Sequence, residues 1–306
     1  MDKMVGIARP SWRSKGDGYE DRRMSLLQRA GLFSNDTQGA KVTRAASLED
    51  LTSAYRLVHD VFVQRGYIVA RESGLRVRVF EALPETATFV AKAEEQVVAV
   101  TTVIIDSPDL GLPSDIAFKT EIDTLRAHNR KICEGTNWLV AESHRHSAVM
   151  SELMRCSFAH SVAEGCTDFV GAVSPGHAKF FNLLGFEQIG EQKSYSAEIH
   201  DPVVLVRLDL SGLADRFRGV DHRTNQVERF LKSYYVDENP YHRFVGGWRV
   251  VSRRLFQDPL GLHELFVQKS SLLTGCSARQ QEAIARRWGR EVFERTVTAY
   301  GLAAST

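Results

Sequence analysis

From Lys131 to Gly190 the pattern of hydrophobic and polar positions changes period several times. Lys131–Ala141 (KICEGTNWLVA) alternates, which predicts a strand with Ile132, Trp138 and Val140 on one face and Glu134 among them. Ser147–Gly165 shifts to helical spacing through Val149, Met150, Leu153, Met154, Phe158 and Val162, with Gly165 as its stop. Asp168–Val173 (DFVGAV) reads as a second short strand. Ser174–Phe186 opens on Pro175 and closes on Leu-Leu-Gly-Phe, the mark of a short helix ended by Gly185.

The flanking segments follow the same logic. Residues 1–38 are polar, with only Met24–Phe33 faintly helical, and read as a mobile arm carrying one short helix. Lys41–Ala46 fits an edge strand. Ser47–Gly66 is a helix: Leu51, Ala54, Tyr55, Val58 and Phe62 form one stripe, and Ser47 with Asp50 suggests a capping box. Tyr67–Pro84 shows no clean period and reads as irregular. Thr88–Asp106 is a hairpin about Glu94–Gln96, followed by a Pro/Gly/Asp loop and a helix over Ile116–His128. Strands around Gln188–Glu198 and Val203–Leu210 complete a unit spanning residues 39–211. Residues 212–306 carry helical patterns, including Asn225–Tyr235 and Ala278–Tyr300, and form a helical extension.

Composition narrows the class. With 43% hydrophobic and 25% charged residues, the 306-residue chain reads as a globular protein, with no apolar run of membrane-spanning length. A net charge of +1 and no nucleic-acid motif set that class of partner aside. The four cysteines lack metal spacing, so no metal site is expected, and they fit a reduced, cytoplasmic setting.

The ordered series of strand, helix, strand, short helix, Gly-Phe and strand resembles the acyl-transfer core of GNAT acyltransferases. Four stretches resemble the long-chain N-acyl amino acid synthases, GNAT-fold relatives of the acyl-homoserine-lactone autoinducer synthases. They are Ala54–Tyr67, Ile104–Asp115, the Glu134 strand and Pro175–Glu191, with Asp237–Trp248 a looser match. The resemblance implies an α/β fold with a mixed, splayed central sheet flanked by helices. It also implies transfer of a fatty acyl group from an acyl-carrier-protein thioester to the α-amine of an amino acid. The acyl-phosphopantetheine is then a donor substrate and no cofactor is bound; the lipid product can associate with membranes.

Two departures from the GNAT pattern bear on the donor and on the acid. The turn before the central helix reads Arg145–Met150, with Ala148 and Met150 where acetyl-CoA enzymes place glycines for the CoA diphosphate. That favours a carrier-borne donor, whose phosphopantetheine has no diphosphate, over a CoA-dependent small-molecule N-acetyltransferase. Phe181 occupies the position of the usual tyrosine acid, and this one feature fits a catalytically inactive binding module.

Each candidate residue has two readings. Glu134 is a general base, or a strand carboxylate paired with Arg130 or Lys131. Arg56 contacts substrate or carrier, or forms a solvated pair with Asp60. Asp106 holds the substrate ammonium, or is turn chemistry. His177 reaches the cleft from a helix N-terminus, or lies on the surface. Asn137 replaces an arginine of the autoinducer synthases, so their substrate contacts do not transfer. His144, Arg145 and His146 lie where a phosphopantetheine phosphate would sit, or form a solvated loop. Arg279, Arg286, Arg287 and Arg290 make a carrier dock, or a face balanced by Glu282, Glu291 and Glu294.

Overall fold

The computed structural model describes residues 17–32, 34–196, 199, 201–218 and 226–298. The chain runs through α1 (Asp17–Arg29), β1 (Lys41–Arg44), α2 (Leu48–Gln64), β2 (Ala87–Ala93), β3 (Gln96–Ile105), α3 (Asp115–Ala127) and β4 (Ile132–Val140). It continues with α4 (Val149–Ala163), β5 (Asp168–Val173), α5 (Pro175–Leu183), β6 (Glu187–Gln188), β7 (Lys193–Ser194) and β8 (Pro202–Asp209). The C-terminal part adds α6 (Leu213–Phe217), α7 (Gln226–Lys232), α8 (Val245–Leu255), α9 (Pro259–His263), α10 (Leu272–Gly275), α11 (Ala278–Trp288) and α12 (Arg290–Thr298).

The strands form one sheet in the order β1-β2-β3-β4-β5-β8-β6, with β7 also on β8. All neighbours are antiparallel except β4 and β5, which pair in parallel only over Ile132–Glu134 and Asp168–Val170. Beyond Glu134 the two strands part, while β5 stays paired with β8 as far as Val173. Glu134 therefore stands at the apex of a fork in the sheet.

Helices cover both faces. On one, α4 supplies Leu153, Met154 and Phe158 to a core shared with Phe89, Phe169 and Phe186. On the other, α2 packs through Leu51, Ala54, Tyr55 and Val58 against Val90 and Val100, and α3 packs through Phe118 and Ile122 against Ile104 and Val170. The expected stripe on α2 is thus the buried one, except that Phe62 is only partly covered. Ser47 accepts the Asp50 amide, but the Asp50 carboxylate reaches the amide of Ala46 rather than that of Ser47.

The C-terminal extension wraps the same two faces. Val227, Leu231, Tyr234, Tyr235 and Trp248 join the α4 side, and Leu262, Phe266, Ile284 and Trp288 close over α2. Buried polar bonds pin it: Trp288 Nε1 donates to the Ala82 carbonyl at 2.7 Å, and Tyr235 Oη to the Leu184 carbonyl at 2.7 Å. Of the expected arm, residues 1–16 lie outside the described set. The helix α1 buries Leu27 and is tied to α7 by Arg23 and Glu228, 3.0 Å apart and both buried.

Two expected elements are divided. The strand over Gln188–Glu198 is two short pieces, β6 and β7, with Gly190 between them. A Cβ on Gly190 would stand 2.8 Å from the Phe118 ring, so only glycine lets the chain pass this close to that ring at the break. The helix over Ala278–Tyr300 breaks at Gly289, whose φ is +89°. Residues 197, 198, 299 and 300 of these two stretches lie outside the described set.

Candidate active site

The middle of β4 is irregular. Thr136 pairs with Thr102 and Leu139 with Val100, so Asn137 and Trp138 together oppose the single residue Thr101. Two residues against one is a β-bulge. Asn137 takes φ +55°, a left-handed conformation that asparagine tolerates better than most side chains. The extra residue inverts the alternation beyond it. Glu134 stays with Ile132 on the α3 face, whereas Trp138 and Val140 cross to the α4 face, with the Trp138 ring 6.4 Å from Phe169 and 6.5 Å from Phe181. The single face expected for Glu134, Ile132, Trp138 and Val140 is corrected accordingly.

Gly135 is what allows Phe169 and Trp138 to close over the strand. A Cβ there would lie 2.4 Å and 2.6 Å from Phe169 ring atoms and 2.9 Å from Trp138. Gly135→Ala is expected to destabilise the fold by about 1–3 kcal/mol, the usual penalty for overpacking, as measured by denaturant unfolding.

Glu134 is 1% exposed. Its Oε2 accepts the Ser114 amide at 2.9 Å and its Oε1 accepts the Ser114 hydroxyl at 2.8 Å. Ser114 immediately precedes α3, so the carboxylate also lies at the positive end of that helix. Burial pushes the Glu134 carboxyl up to about 7; the two Ser114 hydrogen bonds and the Arg78 charge pull it down less strongly. Neither Arg130 nor Lys131 pairs with it. Arg130 binds Asp168 and Asp209, and Lys131 donates to the Glu164 carbonyl.

A polar network surrounds this carboxylate. Arg78 forks onto Glu81, whose Oε1 also accepts Asn137 Nδ2 at 3.3 Å. Asn137 Nδ2 reaches Thr102 Oγ1 at 3.2 Å, and Asn137 Oδ1 accepts Arg76 Nη1 at 3.0 Å. Tyr195 joins from the segment after β7; burial and then the Glu134 charge push its phenol up to about 12, so it keeps its proton at neutral pH. The segment Tyr67–Pro84 supplies Arg76, Arg78 and Glu81, although its lack of a period concealed them. The usable signal was the short alternation Leu75-Arg76-Val77-Arg78-Val79: Leu75 and Val77 are buried in the core with α2, and the two arginines between and after them are the polar positions of the pattern. Ser114 and Tyr195 carry no comparable signal, since only tertiary contact brings them to Glu134.

The remaining candidates are scattered. Phe181 is buried with Phe180, Phe186 and Trp138 on the other face of the sheet. His177 is exposed at the start of α5, its Nδ1 3.0 Å from Ser174 Oγ. Asp106 has both oxygens on Arg126, at 2.7 Å each. Arg56 lines a separate surface groove of about 430 Å³ with Glu49, Gly261, Glu264 and Lys269. Arg145 and His146 are exposed, and His144 is half-buried with Nδ1 2.9 Å from Ser143 Oγ. Just beyond them, the Ala148 amide at the N-terminus of α4 donates to the Asp36 carbonyl at 2.8 Å. On α11, Arg286 and Arg287 bind Asp109, and Arg287 also binds Glu85, so these arginines bridge to the β-sheet unit. Arg290 pairs with Glu282. Among the described residues no set of three His, Cys, Asp or Glu is placed to hold a metal, and no helix is long and apolar enough to cross a membrane.

Comparison with known proteins follows the same outline. The solved structure of FeeM, an N-acyl amino acid synthase from uncultured soil microbes, aligns at 20% identity with a TM-score of 0.50. The alignment covers 56% of this chain and 90% of that one. BjaI, a CoA-dependent acyl-homoserine lactone synthase, aligns at 18% identity and TM-score 0.44, over 64% of this chain and 90% of its own. An N-acetyltransferase structure from Lactobacillus plantarum aligns at 14% identity and TM-score 0.41, over 56% and 99%. No curated protein matches. The family model for the N-acyl amino acid synthase FeeM matches residues 53–209, just over half of the chain and the whole of the forked sheet from β2 to β8. The chain therefore belongs to the FeeM family of N-acyl amino acid synthases, and it is an N-acyltransferase with a GNAT-like α/β fold and a helical C-terminal region.

Proposed function

We propose that the enzyme transfers a long-chain fatty acyl group from the phosphopantetheine thioester of an acyl carrier protein to the α-amine of an amino acid. The observation that carries this reading is the Glu134 carboxyl: buried, pushed up to about 7, and set at the apex of the β4/β5 fork. A pantetheine arm entering the fork finds strand amides that β4 and β5 no longer spend on each other, and these polarise the thioester carbonyl. Glu134 takes the proton as the amine attacks, and the tetrahedral intermediate collapses with release of the thiolate. Phe181 cannot protonate that thiolate. Tyr195, which holds its proton beside Glu134, can serve instead.

The acyl chain and the carrier occupy different sides of this site. Phe181, with Trp138 and Phe180, provides the apolar wall a fatty chain needs. His177, exposed at the N-terminus of α5, is assigned to the substrate side in this reading. His144, Arg145 and His146 receive the phosphate of the carrier's prosthetic arm. The Ala148 amide, already spent on Asp36, cannot join a cradle for a CoA diphosphate, which supports a carrier donor. Asn137 sets the acceptor side. Asp106 and Arg56 contribute indirectly, Asp106 by anchoring α3 through Arg126 and Arg56 at the rim formed with the extension. The reaction belongs in the cytoplasm with its carrier, and its amphiphilic product partitions into membranes.

The test is a donor and acceptor panel. The purified chain is given long-chain acyl-carrier protein or acyl-CoA together with each amino acid, and products are read by mass spectrometry. N-acyl amino acid from the carrier, at a rate falling steeply with salt, is the expected result. An acyl-CoA donor that works equally well, with little salt dependence, overturns the carrier assignment. Arg145→Glu should raise the KM for acylated carrier about five- to tenfold with little change in kcat, because docking charge acts on encounter. The same variant should leave a short acyl-pantetheine donor unaffected.

A further inference from the structure

Arg76 is a buried cation with no direct ion-pair partner among the described residues. Its guanidinium belongs to a residue only 7% exposed, and among the described residues no carboxylate lies within 4 Å of it. Among the described residues its side chain makes one hydrogen bond, from Nη1 to Asn137 Oδ1, and its Cζ lies 4.5 Å from the centroid of the Phe62 ring. The carboxylates of the network are committed elsewhere, Glu81 to Arg78 and Glu134 to Ser114. A buried charge with no ion-pair partner is costly, and of the five N–H donors of this guanidinium one is used among the described residues. Burial, and then the Arg78 charge, lower Arg76 to about 10, which leaves it cationic at neutral pH. Such a group is complementary to an anion that arrives from outside.

We propose that Arg76 binds the α-carboxylate of the amino-acid acceptor and so makes a free carboxylate a requirement of the substrate. The inference rests on the reading of the acceptor as an amino acid. Asn137 supplies the spatial link: it touches Arg76 and lies three residues from Glu134 on the same strand and the same face. The anionic end of the acceptor is held at Arg76 and its amine is presented to the base. A guanidinium suits this role because its planar fork matches a carboxylate with two parallel hydrogen bonds, a geometry that a lysine cannot reproduce. The Phe62 ring packs against the guanidinium, its centroid 4.5 Å from Cζ.

The experiment compares an accepted amino acid with its own carboxamide and methyl ester, which keep the amine and side chain but lose the carboxylate. The donor is a short acyl-pantetheine thioester with no phosphate. Wild type should favour the acid over the amide by roughly 10²-fold in kcat/KM, the scale expected for a desolvated charge pair. In Arg76→Met that ratio should collapse to about one, and in Arg76→Lys it should take an intermediate value. The wild-type ratio needs no variant, so a misfolded Arg76→Met does not protect the idea. A wild type that accepts amide and acid equally overturns the inference. So does an Arg76→Met that slows both acceptors and keeps the wild-type ratio, since Arg76 would then only brace the bulge. If phosphorylated donor shows a raised KM while the acid-to-amide ratio stays, Arg76 serves the donor phosphate and the inference falls. Wild type that acylates carboxylate-free amines and no amino acid removes the acceptor reading itself.

Discussion

Glu134→Gln is expected to lower kcat for acyl transfer by about 10²- to 10⁴-fold, the range associated with loss of a general base, in a protein that remains folded. The substitution is nearly isosteric: a Gln amide oxygen can still accept the Ser114 amide, and its NH₂ can donate to the Ser114 hydroxyl. Only the ability to take a proton is removed. In wild type, kcat should rise with pH through an apparent pKa near 7, where the buried carboxyl ionises, and that limb should vanish in the variant. A folded Gln variant with wild-type kcat across the pH range would remove Glu134 from the reaction.

The same carboxyl makes a stability prediction whose sign is opposite to that of a salt-bridged acid. Its folded pKa is raised, so between about 4.5 and 7 the native state keeps a proton that the unfolded chain releases. Native stability from this group is therefore greatest below about 4.5 and falls as pH rises to about 7. The loss amounts to about 3 kcal/mol for a displacement of this size. Relative to wild type, the Gln variant should gain stability over that window and be unchanged in acid. Denaturant unfolding at pH 4.5 and 8 checks the sign directly.

Asp168→Ala should be among the most destabilising single changes, by about 3–5 kcal/mol, because it strands buried charge. Asp168 is fully buried at the first residue of β5, opposite Ile132, where the two parallel strands still pair. Its oxygens hold Arg130 and, at 2.6 Å, Arg207 of β8. Those arginines also reach Asp209 and Glu187, so β5, β6 and β8 are joined to the start of β4 by one charge cluster. It lies at the closed end of the fork, and its loss should let β4 and β5 separate where the site needs them together. Unfolding midpoints in denaturant measure the effect. A variant within about 1 kcal/mol of wild type would show that the cluster contributes no more than a surface pair.

Much of the architecture was legible because it rests on local pattern. The stripe Leu51-Ala54-Tyr55-Val58, the hairpin about Glu94–Gln96 and the helix over Ser147–Gly165 each contain their own period and stops, and each forms as expected. Glu134 stood out for a related reason, as a carboxylate on an otherwise apolar strand face, whereas Asn137 was marked only by the resemblance, as the residue in place of an arginine. The bulge did not stand out. Asn137 at φ +55° depends on Thr102, Glu81 and Arg76, none of which is near it in sequence, and the bulge decides which face Trp138 occupies. The arginines of α11 show the same limit in another way: neither a carrier dock nor a face balanced by Glu282, Glu291 and Glu294 anticipates that Arg286 and Arg287 pair with Asp109 and Glu85 of the sheet unit.

The sequence by itself determined the order of elements, the α/β class with its helical extension, and the placement of one carboxylate on the strand after α3. These follow from periodicity, caps and glycine stops, which act over a few residues. Only the tertiary structure decided that the carboxylate sits at the apex of a fork, that Ser114 is its partner, and that Arg76, Arg78, Glu81 and Tyr195 surround it. The physical reason is desolvation. The carboxyl is pushed up to about 7, and Arg76 is left a cation with no direct ion pair among the described residues, by what is packed around each of them. That packing is assembled from segments as far apart in the chain as Arg76 and Tyr195.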